Sequence, residues 1–402
     1  MSFNIALTGL NAVNDQLDAV SHNIANAGTT GFKSSRADFG SVYSQTQAMG
    51  VETLGLTQSI SLGGSLQSTG RTLDLAISGA GFFVSRTSSG DAVYGRAGVF
   101  GTDANNFLVN ASGHKLQGYG VDAANNLQVG AVGDLQLNTA SLAARATDKI
   151  GFVANLDVNQ DVPPVTPFDA SNSDSYNSTY TSKIYDSLGK EHTLTQYFVK
   201  ADANGGDWDV YYQLNGQPVL DGTGAEKVQN LTFSTGGLLT GATSTDVEIA
   251  LTGADPLAIE IDYTGTSQFG SEFIVTTNTP NGYAPGEQTG ISVEKDGKIF
   301  ATYSNGQRML QGQLIMATFT NLDGLKNENG TMWTETVDSG QALIGVPGSG
   351  LFGTLSSGAL ETSNVDLTQQ LVELMTGQRN YQANTKVITA DKEMTQVLFN
   401  AI

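Results

Sequence analysis

The side chains that could do chemistry in this sequence are few and scattered. His22, His114 and His192 stand far apart, with no His-x-x-x-His spacing and no metal-spaced carboxylate beside them. They read as structural or surface imidazoles. There is no cysteine, hence no thiolate nucleophile and no disulfide framework. Asp157, Asn159 and Asp161 begin like a calcium loop, but Val162 occupies the sixth position, where glycine must turn the chain. Phe168 occupies the twelfth, where a bidentate glutamate belongs. Gly79-Ala80-Gly81 lacks the third glycine of a dinucleotide fingerprint, and neither a phosphate loop nor a Gly-x-Ser-x-Gly elbow is present. Carboxylates are abundant, yet nothing singles out a pair for acid–base work. The expectation is no catalytic residue, no metal site, no cofactor and no enzyme.

The elements that carry these residues say more. A chain of 402 residues is long enough for two or three cores. With 14% charged residues, 39% apolar residues and 48 glycines it reads as turn-rich, β-containing and globular. A net charge of −20 argues against nucleic acid, which needs a basic surface. No apolar run approaches the ~18–20 residues that span a bilayer, and residues 1–28 carry no Lys or Arg for a secretory signal.

Both ends are patterned differently from the rest. Phe3, Leu10, Leu17 and Ile24 recur every seven residues, with Ala6, Val13, Val20 and Ala27 three positions behind, up to Gly28. Leu367, Leu374, Tyr381 and Ile388 repeat the theme, flanked by Leu371, Met375, Met394 and Leu398. Ser363 with Asp366 signals a helix start, and a helix over 366–402 would run roughly 50 Å at ~1.5 Å per residue. Gly377 within it is tolerable if another helix approaches closely there. The pattern alone leaves three readings: helices docked within the chain, an interfacial membrane helix, or a seam between subunits. The membrane reading is disfavoured, because the first 28 residues offer Asp15 and Asp18 but no cation.

The middle alternates with the two-residue period of strands. Two runs between Thr179 and Val199 flank Asp186-Ser187-Leu188-Gly189, and Trp208, Val210, Tyr212 and Leu214 lead to Asn215-Gly216. Val247 to Leu251 and Ile259 to Tyr263 alternate likewise, and Asp296-Gly297 joins a further hairpin. Such hairpins suggest antiparallel sandwiches or barrels. Pro163, Pro164 and Pro167 suggest an extended crossing between domains over 157–168, with a return over 278–286. Residues 151–285 hold 17 Asp or Glu against 4 Lys and no Arg, a net −13, read as a solvated acidic surface.

Several separated segments resemble the flagellar rod and hook axial proteins. Ser21-His22-Asn23-Ile24-Ala25-Asn26-Ala27-Gly28-Thr29-Thr30-Gly31-Phe32-Lys33 is similar to their N-terminal signature. Thr69-Gly70-Arg71-Thr72-Leu73-Asp74 through Phe83, then Tyr94 to Phe100 and Leu108 to Tyr119, follow in that family's order. Gly358 to Leu367 and Gln378-Arg379-Asn380-Tyr381-Gln382-Ala383-Asn384 match its C-terminal blocks. The large insert, with Tyr185-Asp186-Ser187-Leu188-Gly189, Asn281 to Gly286 and Tyr303 to Gln307, resembles the hook branch of that family. Gly28-Thr29-Thr30-Gly31 lacks the proline often found before that glycine in rod relatives.

The resemblance implies a mixed, mainly β chain whose N- and C-terminal helices pair as a coiled coil, with β-domains inserted between them. The expected organisation is 1–28 and 366–402 as the inner-tube helical domain, and 29–70 with 358–365 as a linker region. An inner β-domain would comprise 71–150 and 286–357, and an outer acidic β-domain 151–285. Implied polymer-interface residues are Phe3, Leu10, Val13, Leu17, Val20, Ile24, Leu367, Leu371, Leu374, Tyr381, Ile388 and Leu398. Asn23, Asn26, Gly31, Phe32, Lys33, Gly70, Arg71 and Asp74 are the family-motif positions. The implied function is a self-assembling tubular subunit, extracellular in the basal body–hook region and exported by the flagellar type III machinery without a cleaved signal. Implied partners are further copies and the distal rod, hook cap and hook–filament junction proteins, with no nucleic acid and no membrane insertion. A secreted β-rich adhesin or carbohydrate-binding module, with Trp208, Tyr211 and Tyr212 as binding face, is the alternative.

Overall fold

The computed structural model describes residues 2–44, 47–122, 124–202, 205–329 and 331–400. Helix α1 spans Ser2–Ala25 and helix α2 spans Leu367–Asn400, with mainly β-structure between them. The cap of α2 is Asp366, whose Oδ1 accepts from the N–H groups of Thr368 (2.8 Å) and Gln369 (3.2 Å). Ser363, expected to cap this helix, instead accepts from Val365 N–H just upstream. Among the described residues no helix is long and apolar enough to cross a membrane.

The chain divides into two compact units. The first comprises Met1–Thr139, Gly290–Thr302 and Arg308–Ile402, the second Ala140–Thr289 and Tyr303–Gln307. The proline-bearing stretch 157–168, expected as a crossing, lies inside the second unit. That unit also includes residues 140–150: Leu142 bridges Gly286, Arg145 bridges Tyr283, and Thr147 Oγ1 accepts from Tyr185 N–H.

In the second unit, Ser178–Tyr185, Glu191–Lys200 and Asp207–Leu214 form an antiparallel meander. Their alternation puts Ile184, Leu194, Phe198, Trp208, Val210 and Tyr212 on one buried face. A second sheet supplies Ile150, Phe152, Val247, Ile259, Ile261 and Tyr263 to the same core. Here the antiparallel expectation is incomplete. Lys149–Asp157 pairs in parallel with Leu257–Asp262 and Ser267–Phe269, and antiparallel with Ile274–Pro280. At Asn215-Gly216 both residues have positive φ (48° and 80°), the geometry of a tight hairpin turn.

The first unit has two cores. One gathers Leu75, Phe83, Phe100, Leu116, Leu314, Met316 and Leu355; the other gathers Phe82, Tyr94, Phe319 and Trp333. Strands β1 (Ser35–Ser44) and β2 (Gln47–Gln58) form a long antiparallel hairpin that packs on α1. The sequence marks this segment as linker; the structure makes it the longest hairpin of the chain.

Candidate assembly interface

Helices α1 and α2 pack antiparallel. Moving up α1, Gly9 meets Asn384, Leu17 meets Gly377, and Asn23 meets Gln370. The register follows from small residues: a Cβ at Gly377 would stand 2.8 Å from Leu17 Cδ2. Small residues of α1 are buried in the chain, with Ala6, Ala12, Val13, Ala19 and Val20 all covered. On another side of α1 the hairpin is tied by Thr53 Oγ1, which donates to Asp15 Oδ2 (2.6 Å). Val51 N–H donates to Thr8 Oγ1 (3.4 Å). Gly50, at φ 122°, allows this approach, since a Cβ there would collide with Thr8 Oγ1.

The residues expected at a polymer seam separate into three groups by burial. Val13 and Val20 are buried within the chain, while Leu10, Leu17, Ile24, Leu374 and Ile388 are half-buried. Phe3, Leu367, Leu371 and Tyr381 remain exposed. The Leu398 side chain lies outside the described residues. Beside the exposed set stand Ile5, Leu7, Val372, Met375, Val387, Met394, Val397 and Phe399, and on the hairpin Tyr43, Leu54 and Leu56. Leu54 is 72% exposed and Phe399 77%; single exposed apolars are ordinary, but these recur along α1, α2 and the hairpin. The heptad rule missed Ile5, Leu7 and Val372 because it follows one stripe, whereas here apolar residues occupy further faces of the helices.

The family-motif positions form a clasp beneath the helices. Asn23 Nδ2 donates to Ser35 O (2.7 Å) and Gln370 Oε1 (2.9 Å), while its Oδ1 accepts from Ser35 N–H (2.9 Å). One buried amide thus joins α1, β1 and α2. Asn26 Nδ2 donates to His22 O (2.9 Å) and its Oδ1 accepts from Thr29 Oγ1 (3.1 Å), organising the chain reversal after α1. Gly31 has φ 70° and its N–H donates to Glu361 O (2.8 Å). Phe32 is buried against the His22 ring at 5.4 Å.

Lys33 is fully buried and donates from Nζ to Glu361 Oε1 (2.6 Å) and Leu62 O (2.6 Å). Arg96 Nη1 reaches Glu361 Oε2 at 3.3 Å. Burial pulls the Lys33 ammonium below its ordinary pKa, partly opposed by its bond to Glu361, and burial acts on Arg96 in the same direction. Further along, Gly70 N–H donates to Gly358 O (3.4 Å), and Arg71 Nη1 lies 3.8 Å from the buried Asp74.

The histidines do not converge. His192 Nδ1 accepts from Asn215 Nδ2 (2.9 Å), so Nε2 carries the hydrogen donated to Asp186 Oδ2 (3.0 Å). This closes the Asp186–Gly189 turn. Asp157 Oδ1 accepts from Asn159 N–H (2.9 Å), a local turn. Among the described residues no group of three His, Asp or Glu side chains could hold a metal ion. Trp208 and Tyr212 lie in the core, Tyr212 hydroxyl bonding Tyr263 hydroxyl (2.8 Å), which donates to Gln196 Oε1 (2.6 Å). They form no exposed binding face.

The architecture is thus a pair of terminal helices, clasped by these residues and separated in sequence by hairpin-rich β-structure. Residues 3–33 match the family described as "Flagella basal body rod protein", and 356–401 match "Flagellar basal body rod FlgEFG protein C-terminal". Residues 76–147 match "Flagellar hook protein FlgE/F/G D1 domain", and 155–283 match "Flagellar basal body protein FlaE D2 domain". The chain is 38% identical over 407 residues to the flagellar hook protein FlgE of Escherichia coli, covering 100% of both chains. It is 37% identical to that of Salmonella typhimurium, again over 100% of both, and 30% identical to that of Borreliella burgdorferi over 98% and 97%. The chain belongs to the flagellar hook protein family. Its fold is similar to the crystal structure of Helicobacter pylori flagellar hook protein FlgE2, with a TM-score of 0.56 at 14% identity, over 74% of this chain and 100% of that one.

Proposed function

We propose that this chain is a structural subunit of the bacterial flagellar hook, polymerising through α1, α2 and the β1–β2 hairpin into an open tube. The observation that carries the reading is the apolar surface left on both paired helices, including Phe3, Leu7, Leu367, Leu371 and Met375. Covering it with more of the same chain uses nonequivalent faces, and such contacts propagate into a helical assembly. The subunit acts as a non-enzymatic, flexible coupling that carries motor torque from rod to filament. Its neighbours along the axis are the distal rod, hook cap and hook–filament junction proteins. It reaches the cell exterior through the flagellar type III export machinery without a cleaved signal peptide.

Hydrogen exchange on monomer and on assembled tubes tests this reading. Residues 2–25, 35–58 and 367–400 gain protection in tubes. Equal protection of these segments in both states overturns it. Two of the three aromatics of the carbohydrate-binding alternative, Trp208 and Tyr212, are core residues.

A further inference from the structure

The clasp buries an unbalanced charge. Lys33, Arg96 and Glu361 have side chains 0%, 5% and 1% exposed, two cations against one carboxylate. Both oxygens of Glu361 are already engaged, Oε1 by Lys33 Nζ and Gly64 N–H (2.9 Å), Oε2 by Arg96 Nη1. Among the described residues no second carboxylate forms an ion pair with either cation. Arg96 Nε is buried and has no hydrogen-bond acceptor. A buried cation in excess and an unanswered N–H both raise the free energy of the folded chain, and an approaching anion relieves the first.

Arg96 also lines a cavity of about 400 Å³, together with Gly64, Gly81 and Phe82. The guanidinium carbon lies 5.4 Å from the Phe82 ring centroid. The cavity has room for a side-chain carboxyl group, the anion that best matches a guanidinium edge.

We propose that this cavity receives an Asp or Glu carboxylate from a second copy of this chain. The chain carries 39 acidic residues against 19 basic ones, so a neighbouring copy presents carboxylates in surplus. The incoming group pairs with the Arg96 guanidinium where it lines the cavity and brings the cluster to neutrality. The inference rests on the assembly reading given above, and it adds a polar, charge-specific contact to an otherwise apolar seam.

The test compares full-length wild type with Arg96→Gln and Arg96→Lys in monomer melting and in the critical concentration for tube formation. It also follows the ¹⁵Nε resonance of Arg96 in monomer and tubes. Arg96→Gln removes the excess charge while leaving Lys33 and Gly64 on Glu361, and monomer melting reports separately what loss of the Arg96–Glu361 bond costs the fold. Its critical concentration rises about tenfold or more, as expected for a lost charge-assisted contact, and Arg96→Lys recovers part of that loss. The wild-type Nε resonance moves on assembly. Tubes of Arg96→Gln forming at the wild-type concentration overturn the inference while leaving the assembly reading intact. An Nε resonance that responds to formate or inorganic phosphate in the monomer, yet is unchanged by assembly, makes the anion a solute and also overturns it. If Arg96→Gln does not fold, the wild-type resonance decides alone. Failure of wild type to assemble at all sinks the assembly reading first.

Discussion

Replacing Leu371 by aspartate isolates the surface that the assembly reading depends on. Leu371 sits on α2 with 51% of its surface exposed, so the substitution removes little packing from the isolated chain. Its place in the second turn keeps the helical cost of aspartate small, and the N-terminal end of the helix dipole offsets part of it. Fully burying a leucine is worth about 1.5–3 kcal/mol, so covering the exposed half contributes about 1 kcal/mol per added subunit. A buried aspartate must also shed its water, at an effective penalty of several kcal/mol. The sum is about 4 kcal/mol or more, which at about 1.4 kcal/mol per decade is a rise of ~10³ in critical concentration. Leu371→Ala loses the apolar part alone, a rise of about fivefold. Sedimentation of assembled from unassembled protein reads both values, and helical circular dichroism of the monomer confirms that α2 is retained. Tubes of Leu371→Asp at the wild-type concentration would refute the reasoning outright.

Four other outcomes follow from the geometry. Asn23→Ala removes the Asn23 bonds to Ser35 N–H, Ser35 O and Gln370 Oε1 and costs about 2–4 kcal/mol, read as a lower thermal midpoint with earlier proteolysis near residue 35. Gly377→Val drives a branched side chain into Leu17 and costs about 1–3 kcal/mol of helix pairing, visible as faster exchange of α1 amides; unchanged exchange contradicts the close approach. Tyr263→Phe strips Gln196 Oε1 of its donor and destabilises the second unit by about 1–3 kcal/mol, more than Tyr212→Phe, in urea unfolding. Burial pushes the Asp186 carboxyl up, but bonds from His192 Nε2 and from the N–H groups of Lys190 and Leu188 bring it below the usual range. Because the folded value is depressed, this contribution is complete above the ordinary aspartate pKa of ~3.9 and is lost as pH falls through the folded value. Wild type therefore loses stability more steeply below about pH 4 than Asp186→Asn; parallel curves exclude the effect.

How much was legible in the sequence varies with the physics of each element. The strands of the second unit were readable because one face is buried and one solvated, which writes a two-residue period into Trp208 to Leu214. The terminal helices were readable from their heptads, and Gly377 from its place in one. Which heptad residues face the partner helix and which face outward was not, since Val13 and Leu371 are the same chemistry in different surroundings. The β1–β2 hairpin escaped because bulges at Asp38/Phe39 and Val42/Tyr43 break its alternation and much of it is exposed. Pro163 to Pro167 resembled a linker because proline marks extended chain without saying whether that chain lies inside a unit or between two. The motif residues were legible as a signature but not as a clasp, because Glu361 and Gln370 carry no local mark of their distant partners.

That distance has a consequence for how the protein is made. Lys33 waits for Glu361 across 328 positions and Asn23 for Gln370 across 347, so the base of the molecule closes only when the last tenth of the chain is present. Contacts of that sequence separation form late, after the segments between them have folded. A prematurely terminated chain would leave Lys33 without its counter-ion and α1 without its partner helix. The fold thereby inspects its own completeness, and a truncated product fails to form the base before it could ever be built into a larger object.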